Sequence, residues 1–310
     1  TRRPPPWPPC APRPSELCAH TVMFAHHLHL VVRAFSSRNY RWYFSGLAVS
    51  MTGSWMQNIA MAWLIYRLTN SALMLGTVGF LSQVPTLVLS PLAGVLTDRI
   101  SKRRIILTTQ VLAALLAGAL AALTLAGAVQ PWHIIVLTAC MGCVNAFDVP
   151  ARQSFVLDVV GRKDHLGNAI AMNSVMFNCA RFIGPALAGV VTAWAGEGIC
   201  FLVNALSYLA SIAALLMLDV REPAPAHSRA HFLRELADGV SYVWHFRPAR
   251  ALLLLTAWIS LVALPYNTLT PIFAREILGG GARTLGFLNS GVGLGALAGV
   301  VGGSGKELQF

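Results

Sequence analysis

Acidic side chains are scarce in this sequence. Asp and Glu number 12 among 310 residues, and charged residues of both signs make up 11%. Soluble domains carry roughly 25% charged residues, which excludes an ordinary cytosolic enzyme. Cysteine is too sparse and scattered for a disulfide framework. Cys10 and Cys18 lie in a Pro-rich start, while Cys140, Cys143, Cys179 and Cys200 fall inside apolar stretches. Cys140-x-x-Cys143 has the spacing of a redox pair, but no thioredoxin-like βαβ pattern surrounds it. Both are expected to be small packing residues of a membrane helix. No Gly-Lys-Ser phosphate loop, Ser-His-Asp arrangement or metal-ligand spacing occurs. The sequence therefore gives no sign of an ATPase, an intramembrane enzyme, a cofactor or a metal. A net charge of +11 does not indicate nucleic acid, because the basic residues lie between apolar blocks and no nucleic-acid-binding motif accompanies them.

Apolar length is what the chain has in abundance. A helix needs about 20 apolar residues to cross a hydrocarbon core about 30 Å thick. The run Ile105 to Val129 holds 25 residues without a charge. Eight apolar blocks occur, at 42–66, 72–97, 105–130, 132–151, 169–195, 198–218, 251–274 and 285–303. In the first, Gly46, Ser50, Gly53, Gln57 and Met61 recur at helical spacing. Such a stripe lets another helix approach closely or lines a cavity. The fold class is all-α polytopic membrane protein, with the lipid bilayer as its surroundings.

Orientation follows from counting Lys and Arg. Eighteen fall on one side of the blocks, whereas Arg67, Arg275 and Arg283 alone fall on the other. The positive-inside rule puts the N-terminus and the long 219–250 connection in the cytoplasm. Residues 1–39 read as a disordered Pro-rich arm and cytoplasmic lead-in. Their PxxP spacing suits an SH3-type groove, although a free arm or a start at Met23 accounts for it better. Residues 40–218 hold the first six blocks as one bundle. The 219–250 linker contains Phe232, Leu233, Leu236, Val240 and Val243 on one face of a short surface helix. Residues 251–303 supply two more helices, and 304–310 read as a tail or truncation scar. Leu92-Ala93-Gly94-Val95 recurs as Leu297-Ala298-Gly299-Val300, a position that fits a parallel repeat of a six-helix unit.

Between the second and third blocks stands Gly94-Val95-Leu96-Thr97-Asp98-Arg99-Ile100-Ser101-Lys102-Arg103. A hairpin obeying the positive-inside rule needs only the basic cluster, not a Gly four residues before an Asp-Arg pair; Gly94 is expected to permit close helix contact. The loop resembles the signature of the major facilitator superfamily: Gly, three residues, Asp, Arg, one residue, Gly, two basic residues. Ser101 stands where that pattern has glycine. The segments GSWMQNIAMAWLIYRLTNSALMLG (53–76), NAFDVPARQSF (145–155), NAIAMNSVMFNCARFIGPALAG (168–189) and PYNTLTPIFAREILG (265–279) resemble its enterobactin-exporter-like branch, the transmembrane secretion effectors. The resemblance implies a twelve-helix fold, of which this chain carries a complete N-terminal half and the first two helices of the second. It also implies a cytoplasmic gate of Gly94, Asp98, Arg99, Lys102 and Arg103. The implied activity is secondary active transport across a bacterial inner membrane, with protons as the coupling ion.

Ionisable groups at membrane depth are costly and mark function by default. Arg181 lies near the bilayer middle, sharing a helix face with Ser174, Asn178 and Pro185. It attracts an anionic substrate, answers a proton-carrying acid, or clamps carbonyls between helices; the sequence leaves these open. Asn145, Asp148 and Arg152 share a stripe of the fourth block. Asp148 reads as a proton carrier or, with more weight, as the structural partner of Arg152. Gln57 and Asn58, flanked by Trp55 and Trp63, either contact substrate or join helices. Tyr266 and Asn267, between Pro265 and Pro271, are expected on a broken helix facing the pathway. His133 reads as an interface residue. The expected function is export of a small amphipathic molecule, of drug or siderophore type, by alternating access. The alternatives are a membrane scaffold that docks a partner through 219–250, and an inactive transporter fragment.

Overall fold

The computed structural model describes residues 38–160, 166–219, 241, 244–263 and 265–303. Among them the chain forms α1 (Arg38–Thr69), α2 (Ala72–Arg99), α3 (Lys102–Leu125), α4 (Pro131–Val160), α5 (Leu166–Ala195) and α6 (Glu197–Leu216). Beyond the linker come α7 (Arg247–Ala263), α8 (Pro265–Ile272), a π-helical segment (Phe273–Ile277) and α9 (Ala282–Gly303). Each apolar block of the sequence overlaps these helices, with 126–130 and 217–218 lying past the ends of α3 and α6. The stretches Ala72–Gly94, Lys102–Leu125, Pro131–Val159, Ala169–Ala195 and Glu197–Leu216 are long and apolar enough to cross a membrane. α1 spans 32 residues but buries Ser50 and Gln57 against its neighbours, so its composition is less uniformly oily. The large aliphatic residues point outward: Leu73 is 79% exposed and Leu87 78%. In water each would forfeit roughly 2 kcal/mol of burial; against lipid tails that penalty vanishes.

Short turns set the helix order. Ser71 caps α2 by accepting from the Met74 amide at 3.4 Å, and Ser101 caps α3 by accepting from the Arg104 amide at 3.3 Å. With φ at −51°, Ser101 needs none of glycine's freedom, and its hydroxyl satisfies a helix N–H that glycine would leave open. Gly196, with φ of +80°, makes the reversal between α5 and α6.

Helix contacts follow the small residues. A Cβ on Gly46 would lie 2.5 Å from Ala214 Cβ, and one on Gly53 would lie 2.4 Å from Ser207 Oγ, so the α1 stripe is the seat of α6. Gly184 admits Trp55 of α1. At Gly286 of α9 a Cβ would come 2.5 Å from the Pro185 carbonyl oxygen and 2.7 Å from Gly189 Cα. The α5–α9 pair is the most extensive helix contact among the described residues.

Several expectations change. A Cβ on Gly94 would meet nothing within 4 Å; the close contact expected there is absent among the described residues. Cys140 and Cys143 are both free and exposed, facing outward from α4 instead of packing within the bundle. The seventh block is divided into α7, α8 and the π-helical segment, with Tyr266 and Asn267 on α8. α8 runs through Pro271 to Ile272 and then widens to π geometry. Pro271 has no amide to donate to the carbonyl four residues back, which loosens the ladder beside it. The surface helix expected from Phe232 to Val243 lies outside the described residues.

Candidate functional site

The turn between α2 and α3 gathers the motif residues at one rim of the bundle. Arg99 ends α2 and is exposed; Asp98 lies in the last turn of the same helix, its side chain outside the described residues. Lys102 and Arg103 turn back into the bundle. Lys102 Nζ donates to Asp158 Oδ2 of α4 at 2.8 Å. Arg103 donates to the Leu215 and Leu216 carbonyls at 2.8 and 3.1 Å, at the C-terminal end of α6 where the helix dipole is negative. The basic cluster thus fastens α3 to α4 and α6.

One layer deeper, Asp148 is 9% exposed. Its Oδ1 accepts from Thr109 Oγ1 at 2.7 Å and from Gln110 Nε2 at 3.3 Å, while Oδ2 accepts from Arg152 Nε at 2.5 Å. Ser50 Oγ donates to Gln110 Oε1 at 3.4 Å, carrying the network to α1. Three side chains, Thr109, Gln110 and Arg152, thus converge on the two oxygens of Asp148. No bridge links Asp148 to Arg181.

Higher in α1 the two adjacent amides part company. Gln57 is buried, and its Oε1 accepts from Asn204 Nδ2 of α6 at 2.7 Å; it joins helices. Asn58, one position on, is exposed into a cavity of about 680 Å³. That volume falls within the range of small-molecule sites. Its walls come from α1, α2, α5, α8 and α9. Asn58, Gln83, Arg181, Thr268 and Asn289 are polar members, and Trp55, Ile65, Val78, Phe80 and Leu269 are among the apolar ones.

Arg181 is the single charged residue in this wall among the described residues. Its guanidinium carbon lies 5.7 Å from the centroid of the Trp55 ring, which Phe177 meets edge-on at 5.7 Å. The ion pairs of the described residues are Arg67–Glu197, Lys102–Asp158 and Arg152–Asp148, so Arg181 has no carboxylate partner among them. A cation costs about 3 kcal/mol at the centre of a membrane helix, and a cation–π contact returns roughly 0.5–2 kcal/mol. Asn178 turns its amide to the Ser174 carbonyl at 2.8 Å and is not in the cavity wall. Tyr266 and Asn267 fall on α8, their side chains outside the described residues, and the next residue, Thr268, lines the cavity.

At the end of the bundle opposite the basic rim, α1 is tied across the chain. The Tyr66 hydroxyl donates to Glu276 in the π-helical segment. Arg275 donates to Asn70 Oδ1 at 2.7 Å and places its guanidinium 5.7 Å from the Tyr66 ring centroid. Arg67 pairs with Glu197 at the start of α6 at 3.1 Å. His133 accepts from the Gln130 amide at 3.0 Å, closing the start of α4. Sequence reasoning missed Asp158, Glu276, Gln83, Thr268 and Asn289. Only Glu276 carried a usable signal, as an acid at the edge of an apolar block.

A bundle of long apolar helices around a part-polar cavity with one cation in its wall fits a polytopic membrane transporter. Residues 32–305 match the family model of the transmembrane secretion effectors. The chain belongs to that family, a branch of the major facilitator superfamily whose members are transporters, not enzymes. It is similar to the staphyloferrin A transporter of Staphylococcus aureus, 26% identical over 247 residues, covering 79% of this chain and 62% of that protein. It is likewise similar to the multidrug efflux pump Tap of Mycolicibacterium fortuitum, 26% identical over 259 residues, covering 81% and 63%. Macrolide efflux protein A of Streptococcus pyogenes is 22% identical over 242 residues, covering 76% and 58%. The chain therefore spans less than two thirds of the length of these relatives.

Proposed function

We propose that this protein is a secondary exporter of the bacterial inner membrane, with its N-terminus in the cytoplasm. It moves a small amphipathic molecule through the Arg181 cavity by alternating access, with protons as the coupling ion. The observation that carries the reading is the cavity itself, about 680 Å³ in volume and walled by α1, α2 and α5 on one side and α8 and α9 on the other. A site shared between two groups of helices changes its exposure when those groups rock. The efflux role named for two of the relatives, Tap and macrolide efflux protein A, agrees with it. In this reading Asp98 and Arg99 form the cytoplasmic gate, and Lys102 and Arg103 anchor the turn that presents them.

Dye efflux tests the proposal. Cells producing the protein, loaded with a fluorescent amphipathic dye, lose it faster than cells without the protein, and a protonophore abolishes the difference. Asp98→Asn slows the loss at an unchanged level of protein in the membrane. Equal rates with and without the protein would overturn the exporter reading, and full efflux by Asp98→Asn would remove the gate.

A further inference from the structure

The cavity wall contains a cation and no anion among the described residues, and that imbalance bears on what enters. Asn58, Gln83, Thr268 and Asn289 are neutral, and the remaining lining is largely apolar. The nearest aromatic face to the Arg181 guanidinium is Trp55, at 5.7 Å from its centroid. Each of the three ion pairs of the described residues joins other partners. Asp148, a carboxylate inside the bundle, is taken up by Thr109, Gln110 and Arg152. A planar guanidinium in this setting offers several N–H donors in a fork that matches a carboxylate or sulfonate. The indole beside it offers a flat apolar surface.

We infer that the site selects small organic anions, a carboxylate or sulfonate carried on a flat apolar body. The anionic group sits on the Arg181 guanidinium and the body lies along the Trp55 wall. Arg181 is then the specificity-determining residue. This rests on the exporter reading for its physiological meaning, though the two stand or fall on different measurements.

Three probes with one aromatic body separate charge from shape: 1-naphthaleneacetate, 1-naphthaleneacetamide and 1-naphthylmethylammonium. Their binding to the purified protein in detergent is measured by equilibrium dialysis. The acetate binds about tenfold or more tightly than the amide, the scale of a charge-assisted pair, and the ammonium binds most weakly. Arg181→Gln brings the acetate down to the affinity of the amide, while Arg181→Lys keeps part of the preference. Should Arg181→Gln fail to fold, competition in the wild-type protein decides: benzoate displaces bound naphthaleneacetate, and benzamide does not. Equal binding of the three probes, a preference for the ammonium, no binding by any of them, or a preference that survives Arg181→Gln would overturn the inference. Dye export without an anion preference removes this inference alone. Anion binding without export leaves it standing and removes the exporter.

Discussion

The phenol of Tyr66 donates a hydrogen bond to the carboxylate of Glu276, 210 residues further along the chain. The bond joins the end of α1 to the π-helical segment that follows α8, one residue beyond the cavity residue Ile65. Arg275 and Asn70 repeat the connection at 2.7 Å. Neither pair was visible as a pair in the sequence, since each depends on how far α8 advances before its backbone widens.

Releasing this clasp is expected to open the cavity toward the outer face. A hydrogen bond to a charged acceptor contributes about 1.5–3 kcal/mol, so its loss shifts an open–closed balance roughly tenfold or more. The measurement uses Asn58→Cys with the six native cysteines replaced by serine, labelled from outside by a membrane-impermeant thiol reagent. Tyr66→Phe and Glu276→Gln each speed labelling by about that factor. Labelling as slow as in the parent would show that the contact does not hold the site shut.

Lys102 and Asp158 test whether the basic rim holds the bundle together. Side chains of the pair are 22% and 11% exposed, so it is only partly screened by water. Lys102→Ala is expected to lower thermal stability in detergent by about 1–3 kcal/mol. Exchanging the two residues, Lys102→Asp with Asp158→Lys, recovers part of it. Additive losses in the double variant would mean the two side chains act independently.

Two glycines of similar sequence appearance should behave oppositely. Gly286→Ala drives a methyl into the backbone of Pro185 and Gly189, which cannot yield as a side-chain tip can, and should cost about 1–3 kcal/mol. Gly94→Ala meets no atom within 4 Å and should be neutral for stability, so any loss of transport it causes belongs to the gate. The check is melting temperature beside efflux rate for both variants. A neutral Gly286→Ala would contradict the close α5–α9 packing.

Asp148→Asn discriminates a structural acid from a proton carrier. Removing the charge strands Arg152 in the bundle, and breaking a buried pair costs about 3–5 kcal/mol. The expected result is a fall in folded protein recovered from the membrane. A well-folded Asp148→Asn protein whose export no longer responds to a proton gradient would instead make Asp148 the carrier.

The helices and their packing stripes were legible because lipid imposes one rule on every span. Of Gly46, Ser50, Gly53, Gln57 and Met61, which recur at helical spacing, the first four are buried and Met61 is half-buried. The cavity was legible only in part. Arg181 declared itself, since a cation inside an apolar block has few explanations. Gln57 and Asn58 did not separate, because adjacent residues point 100° apart on a helix and the neighbour's position decides which one is buried. Gln83, Thr268 and Asn289 are ordinary polar residues in three distant segments, and only the assembled bundle brings them to one wall. Asp158 gave no sign because its partner was chosen by the meeting of α3 and α4.

The central claim is that the Arg181 cavity is the transport pathway. Its most direct test compares Arg181→Ala with the parent in the dye-efflux assay, with the amount of folded protein in the membrane measured in the same cells. The account predicts wild-type abundance and efflux reduced to the background of cells lacking the protein. Efflux at the parental rate per molecule would contradict it.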